Sequence, residues 1–86
     1  MDADFIPEFR RAVRGHLAER PAIAQSADTI HRHLKREHPC TIADVTQALV
    51  VVESLGHLKH DFDPMGGSKK FYQITAAGLL AHERGE

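Results

Sequence analysis

Between Pro39 and Gly56 the chain has room for one element, and both of its ends are written in the residues. Thr41-Ile42-Ala43-Asp44 has the form of a capping box: the Thr41 hydroxyl accepts the amide three residues on, and the Asp44 carboxylate reaches back to the Thr41 amide. Ile42, Val45, Ala48, Leu49, Val52 and Leu55 then recur at three- and four-residue steps, and Gly56 is the residue type that leaves a helix through a positive φ. This reads as a helix over residues 42–55. Its outer face is Ala43, Thr46, Gln47, Val50 and Ser54, with Val51 and Asp44 at one flank and Glu53 at the other. It contains no lysine or arginine.

The same punctuation divides the rest. Asp4 can cap a first helix that tolerates Pro7 in its opening turn and carries Phe5, Phe9, Ala12, Val13 and Leu17 on one stripe, which sends Arg10, Arg11 and Arg14 to the opposite face. Arg20-Pro21 ends it, since the residue before proline is pushed out of the helical region. Ser26 caps a second helix over residues 27–38, with Ala27, Ile30 and Leu34 inward and Arg32, Lys35 and Arg36 outward, until Pro39 stops it. Ala22-Ile23-Ala24 has the length of a minimal strand.

Past Gly56 the period changes from helix to strand. Residues 57–62 alternate, with Leu58, His60 and Phe62 on one side; Asp63-Pro64-Met65-Gly66-Gly67 is dense turn chemistry; residues 69–74 form the returning strand. Thr75 caps a last short helix over Ala76, Leu79 and Leu80, followed by a frayed 83–86. An isolated hairpin is marginal in water, so Leu58, Phe62, Tyr72 and Ile74 are expected to lean on the helices.

Eighty-six residues, 42% hydrophobic and 27% charged, suit one soluble domain spanning 1–86 with one core, too small for a two-domain enzyme. No run approaches the roughly 18 apolar residues a membrane span needs, and an acidic Met1-Asp2-Ala3-Asp4 is unlike a signal peptide, so the expected location is cytoplasmic. The single Cys40 excludes an internal disulfide. Net charge is -1, yet the charges are not evenly spread. Arg10, Arg11, Arg14, Arg20, Arg32, Lys35 and Arg36 crowd residues 10–36 against Glu19 and Asp28, whereas residues 37–68 set Lys59 against Glu37, Asp44, Glu53, Asp61 and Asp63. Lys69-Lys70 forms a separate basic spot.

Three helices, a β-hairpin and a short C-terminal helix follow one another in the order of an α+β winged helix-turn-helix. Ala43-Asp44-Val45-Thr46-Gln47-Ala48-Leu49, then Glu53-Ser54-Leu55-Gly56-His57-Leu58, then Tyr72-Gln73-Ile74-Thr75 with Gly78 resemble the small bacterial and phage winged-helix regulators of the MarR and PadR sort, over roughly residues 27–80. The resemblance implies a cytoplasmic, non-catalytic regulator of transcription whose helix 42–55 enters the major groove of double-stranded DNA while the wing, residues 57–74, touches the backbone beside it. Carried over residue by residue, Ala43, Thr46, Gln47 and Val50 are the base readers; Lys69 and Lys70 in the wing and Arg32 and Arg36 on helix 27–38 meet phosphates. Gln pairs with adenine and Thr or Ala with a thymine methyl, so an A/T-leaning site is expected. A homodimer would double the phosphate contacts and read two half-sites.

The cation-free outer face departs from that pattern, because phosphate neutralisation supplies most non-specific affinity. A second reading stands beside the first: Val50 and Val51 as an apolar patch that meets a protein partner or a second copy. The remaining motifs point to little chemistry. His57 and His60 fall on opposite faces of a strand and His31 and His33 diverge on a helix, so neither pair forms a metal site with Cys40 or His38, and no cofactor is expected. His31 and His38 border the inner stripe and read as half-buried packing residues; Cys40 is a small turn residue or a redox thiol. Gly66-Gly67-Ser68-Lys69 lacks the first glycine of a phosphate loop, and no nucleophile motif appears.

Overall fold

The computed structural model describes residues 5–86, so capping by Asp4 lies outside the described residues. The elements are α1 (Phe5–Ala18), β1 (Gln25–Ser26), α2 (Ala27–Leu34), α3 (Ile42–Ser54), β2 (Leu58–Phe62), β3 (Lys70–Ile74) and α4 (Ala76–Glu83). Both halves of the capping box are made: the Asp44 amide donates to Thr41 Oγ1 at 3.1 Å and the Thr41 amide to Asp44 Oδ2 at 2.9 Å. Leu55 is the C-cap rather than a helical residue, and Gly56 takes φ 82°, so α3 stops one residue short of the expected 55.

Helix α2 is shorter than the expected 27–38. Ser26 caps it as the sequence indicates, its Oγ accepting the Thr29 amide at 3.4 Å. The last helical residue is Leu34, whose carbonyl accepts both the Glu37 amide at 3.1 Å and the His38 amide at 2.8 Å. Pro39 excludes the helical region at His38, and the constraint spreads backward as a tightened turn. The His31 ring closes that turn by donating from Nε2 to the Cys40 carbonyl at 2.9 Å.

The sheet is antiparallel in the order β1-β3-β2, with Leu58 opposite Ile74, His60 opposite Tyr72 and Phe62 opposite Lys70. Its third strand is not at residues 22–24. Gln25 pairs with Tyr72 and Ser26 with Phe71, while the Ile23 amide turns back to the Arg20 carbonyl at 3.1 Å. Backbone pairing with β3 selects those two polar residues over the apolar trio, so period alone does not find them.

Phe9, Val13 and Leu17 of α1, Ile30 and Leu34 of α2, Val45, Ala48, Leu49 and Val52 of α3, and Leu58, Tyr72 and Ile74 of the hairpin form one core. Five residues depart from expectation at its margins. Ile42 and Leu55, at the two ends of the α3 stripe, are exposed, as is Leu80 of α4. Phe62 is 56% exposed, because the hairpin overhangs the helices beyond His60. Arg14 is buried at 6% exposure, not solvated, because α1 is covered by α4 on one flank as well as by α3 on the other. Its Nη1 donates to His57 Nδ1 at 3.4 Å, and its Nε has no partner among the described residues.

Helix α4 closes onto the start of the hairpin through Thr75. Its hydroxyl accepts the Gly78 amide at 3.1 Å and donates to the Gly56 carbonyl at 2.6 Å, while its amide donates to the His57 carbonyl at 2.9 Å. At Gly78 a Cβ would sit 2.2 Å from the His57 carbonyl oxygen and 2.7 Å from Ile74 Cγ1. Backbone cannot move aside as a flexible side chain can, so Gly78→Ala is expected to cost about 1–3 kcal/mol of stability. Urea unfolding followed by circular dichroism checks this, and an unchanged midpoint would refute the close approach.

Candidate nucleic-acid interface

Ala43, Thr46, Gln47 and Val50 lie together on the exposed face of α3, as the period required. Thr46 Oγ1 donates to the Ile42 carbonyl at 2.9 Å, which commits its proton to its own helix and leaves its methyl and its acceptor lone pairs to face outward. Val50 is 52% exposed, and Ile42 at 45% and Leu55 at 62% extend the apolar character of this helix to both ends.

The two wing lysines, a single spot in the sequence, are separated in space. Lys69 Nζ lies 3.3 Å from Asp28 Oδ2 in the first turn of α2, both side chains about half exposed. Such a pair contributes roughly 0–1 kcal/mol, but it fixes the root of the hairpin beside α2. Asp28 and Arg32 are one helical turn apart on one face, so Lys69, Asp28 and Arg32 form a continuous edge. Arg36 follows in the turn after α2 and is exposed. Lys70 instead faces across to Phe62, on the strand side shared with His60 and Tyr72. That side packs toward α3, since His60 Nδ1 contacts Glu53 Oε2. Lys70 is therefore the wing cation on the same side as the cation-free helix.

The acid at the end of α3 is thus tied to the wing and not left facing outward. The His60 ring lies 5.7 Å from Phe62 and from Tyr72, and burial, with Glu53 adding to it, pushes the Tyr72 phenol above its ordinary pKa. Burial likewise raises the Cys40 thiol, with Asp44 as a second cause. A thiol held protonated is a poor nucleophile, which favours the turn-residue reading over the redox one. Among the described residues no group of three or more His, Cys, Asp or Glu is arranged to hold a metal ion.

One basic cluster went unseen in the sequence. The rings of His16 on α1 and His33 on α2 stand 5.1 Å apart, and partial burial holds the His33 pKa below its ordinary value, with His16, Arg32, Arg20 and Arg36 adding repulsion. The neighbours Arg32 and Arg36 are legible from helical spacing around His33. His16 and Arg20 join them only through the packing of α1 on α2.

Three solved structures are similar to this chain. Lactococcus lactis ZitR, a mutant in the apo form, matches with a TM-score of 0.75 and 18% identity over 96% of this chain and 58% of its own. A mutant of MepR from a multidrug-resistant S. aureus clinical isolate matches with 0.73 and 16% identity over 94% of this chain and 59% of its own. Both carry the winged helix, which the four helices and small three-stranded antiparallel sheet of this chain match. The chain has a winged helix-turn-helix fold. In that fold α3 is the second helix of the helix-turn-helix, and β2 and β3 form the wing. A structure of the DNA recognition and protein interaction domains of HOP2 matches with 0.58 and 23% identity over 73% of this winged helix and 98% of its own. The chain spans a little under 60% of the ZitR and MepR chains. No protein-family model and no curated protein sequence matches it. No helix among the described residues is long and apolar enough to cross a membrane.

Proposed function

We propose that this winged helix is a non-catalytic, cytoplasmic DNA-binding regulator of transcription, one unit over residues 1–86. Ala43, Thr46, Gln47 and Val50 of α3 face the bases; Arg32 and Arg36 of α2 and Lys69 and Lys70 of the wing meet phosphates. Two features support the reading: Lys69 paired with Asp28, one helical turn from Arg32 on α2, and Lys70 on the strand face that also carries His60, which contacts Glu53 of the cation-free α3. Backbone contacts from neighbours then supply the affinity that α3 lacks, and α3 supplies discrimination through apolar and amide contacts. ZitR, MepR and the HOP2 DNA recognition domain are similar in fold, which supports a nucleic-acid partner. With so few cations per protomer, a homodimer reading two half-sites is the proposed working form.

Fluorescence anisotropy against a random duplex tests the proposal. Binding is expected at low salt and falls steeply toward physiological salt, as counterion release requires. No binding at either salt concentration defeats it.

The exposed Ile42, Val50 and Leu55 favour a second reading, in which α3 docks a protein through its apolar surface. Val50 and Val51 changed together to Ser would abolish capture of such a partner with the fold intact, and unchanged capture rejects this reading.

A further inference from the structure

Two imidazoles and an arginine converge on a groove that base reading leaves unused. It runs between the end of α1, β1 and α2, with a volume of about 330 Å³, and His16, Arg20, Ile23, Ser26, His33 and Phe71 stand around it. His16 Nε2 donates to Gln25 Oε1 at 2.8 Å, which orients the ring and leaves Nδ1 without a partner among the described residues. The His33 ring sits 5.1 Å away at 47°, exposed.

The surroundings decide what such a site holds. Arg20 lines the groove itself, and Arg32 and Arg36 are close enough to weigh on the charge of His33. Glu19 is the one acid in its wall. Behind the two rings a second hollow of about 580 Å³ brings Glu8, Arg11, Glu37, His38 and His82 near them. Three guanidinium groups around two imidazoles repel a metal cation and attract an anion. A guanidinium fork matches two oxygens of an oxyanion; His33 offers a ring N–H, and His16, whose Nε2 proton is given to Gln25, offers a second donor at Nδ1 as the imidazolium. Donors arriving from three separate side chains around the groove suit a tetrahedral group, whose oxygens point in several directions, better than a planar carboxylate. Ile23 and the half-buried Phe71 form an apolar lip for whatever the group is attached to.

We propose that this groove is a binding site for a phosphate-type oxyanion, held by Arg20, His16 and His33. The chemistry is common to a free phosphorylated small molecule and to a nucleic-acid phosphodiester, and the site stands whether or not α3 reads bases. Binding is coupled to proton uptake. In the empty groove partial burial and the neighbouring cations hold the His33 pKa below its ordinary value; a bound anion adds an opposite charge beside the ring and favours the imidazolium. Affinity therefore rises as pH falls.

The test follows the His16 and His33 ring signals of the intact chain by NMR during titration with sodium sulfate, inorganic phosphate and sodium chloride. Sulfate stays doubly charged throughout, so its pH dependence reports only the protein. Saturable shifts are expected, with sulfate about fivefold tighter near about pH 6 than near about pH 8. Arg20→Ala and His33→Gln, both at exposed positions, each weaken sulfate about fivefold or more with the far-ultraviolet spectrum unchanged. A duplex that displaces bound phosphate assigns the site to the nucleic-acid backbone, and phosphate that stays bound assigns it to a small molecule; either supports the site. Shifts that chloride reproduces, or variants that bind as the parent does, overturn it.

Discussion

Exchanging Arg32 and Lys70 together for glutamate is expected to lower duplex affinity by about a hundredfold or more at low salt and to flatten the salt dependence by about two phosphate contacts. The two positions test the two sides of α3 at once. Arg32 stands on the α2 edge beside Asp28 and Lys69, and Lys70 on the wing face turned toward α3. Both are exposed, so the fold tolerates the change. Anisotropy at two salt concentrations measures it. Equal affinity for parent and double variant would mean that nothing negatively charged approaches α3 from these sides, and the protein-docking reading of Val50 would take precedence.

Leu49→Ala is expected to remove about 2–5 kcal/mol, the cost of a cavity at a fully enclosed core position. At roughly 0.05–0.15 kcal/mol per residue a domain of this size has about 4–13 kcal/mol in all, so the change removes a large share of its stability. Val50→Ala, one residue along the same helix but 52% exposed, should stay within about 0.5 kcal/mol. Denaturant titration of the pair settles it: similar losses at both positions would mean that the inner and outer faces of α3 are wrongly assigned.

How much of this was legible in the residues depended on whether a signal was local. Thr41-Ile42-Ala43-Asp44, Ser26, Gly56 and Thr75 were legible because a cap or a positive φ is decided within four residues, and each sits where the sequence put it. The order of elements followed, and with it the fold. What failed was set by packing between distant segments. Arg14 sits on the polar flank of its helix by period alone, but α4 covers that flank from more than sixty residues away. Phe62 obeys the alternation of β2, yet the helices end beneath it. Gln25-Ser26 has no strand signature beyond what pairing with β3 confers. At the candidate interface the outer face of α3 was readable from helical spacing. The separation of Lys69 from Lys70, and the meeting of His16 with His33, needed the third dimension.

Thr75 gives the hairpin an unusual mechanical character. Three hydrogen bonds at one residue suspend the base of the wing from α4 and from the exit of α3, while the far end carries Met65 almost wholly in solvent. The arrangement is a cantilever. A tilt of a few degrees at the anchored end grows along five paired residues, some 17 Å of strand, into a displacement of an ångström or more at the free one. Small changes of side chain around Thr75 and Gly78 can therefore re-aim Lys70 and the tip without touching either.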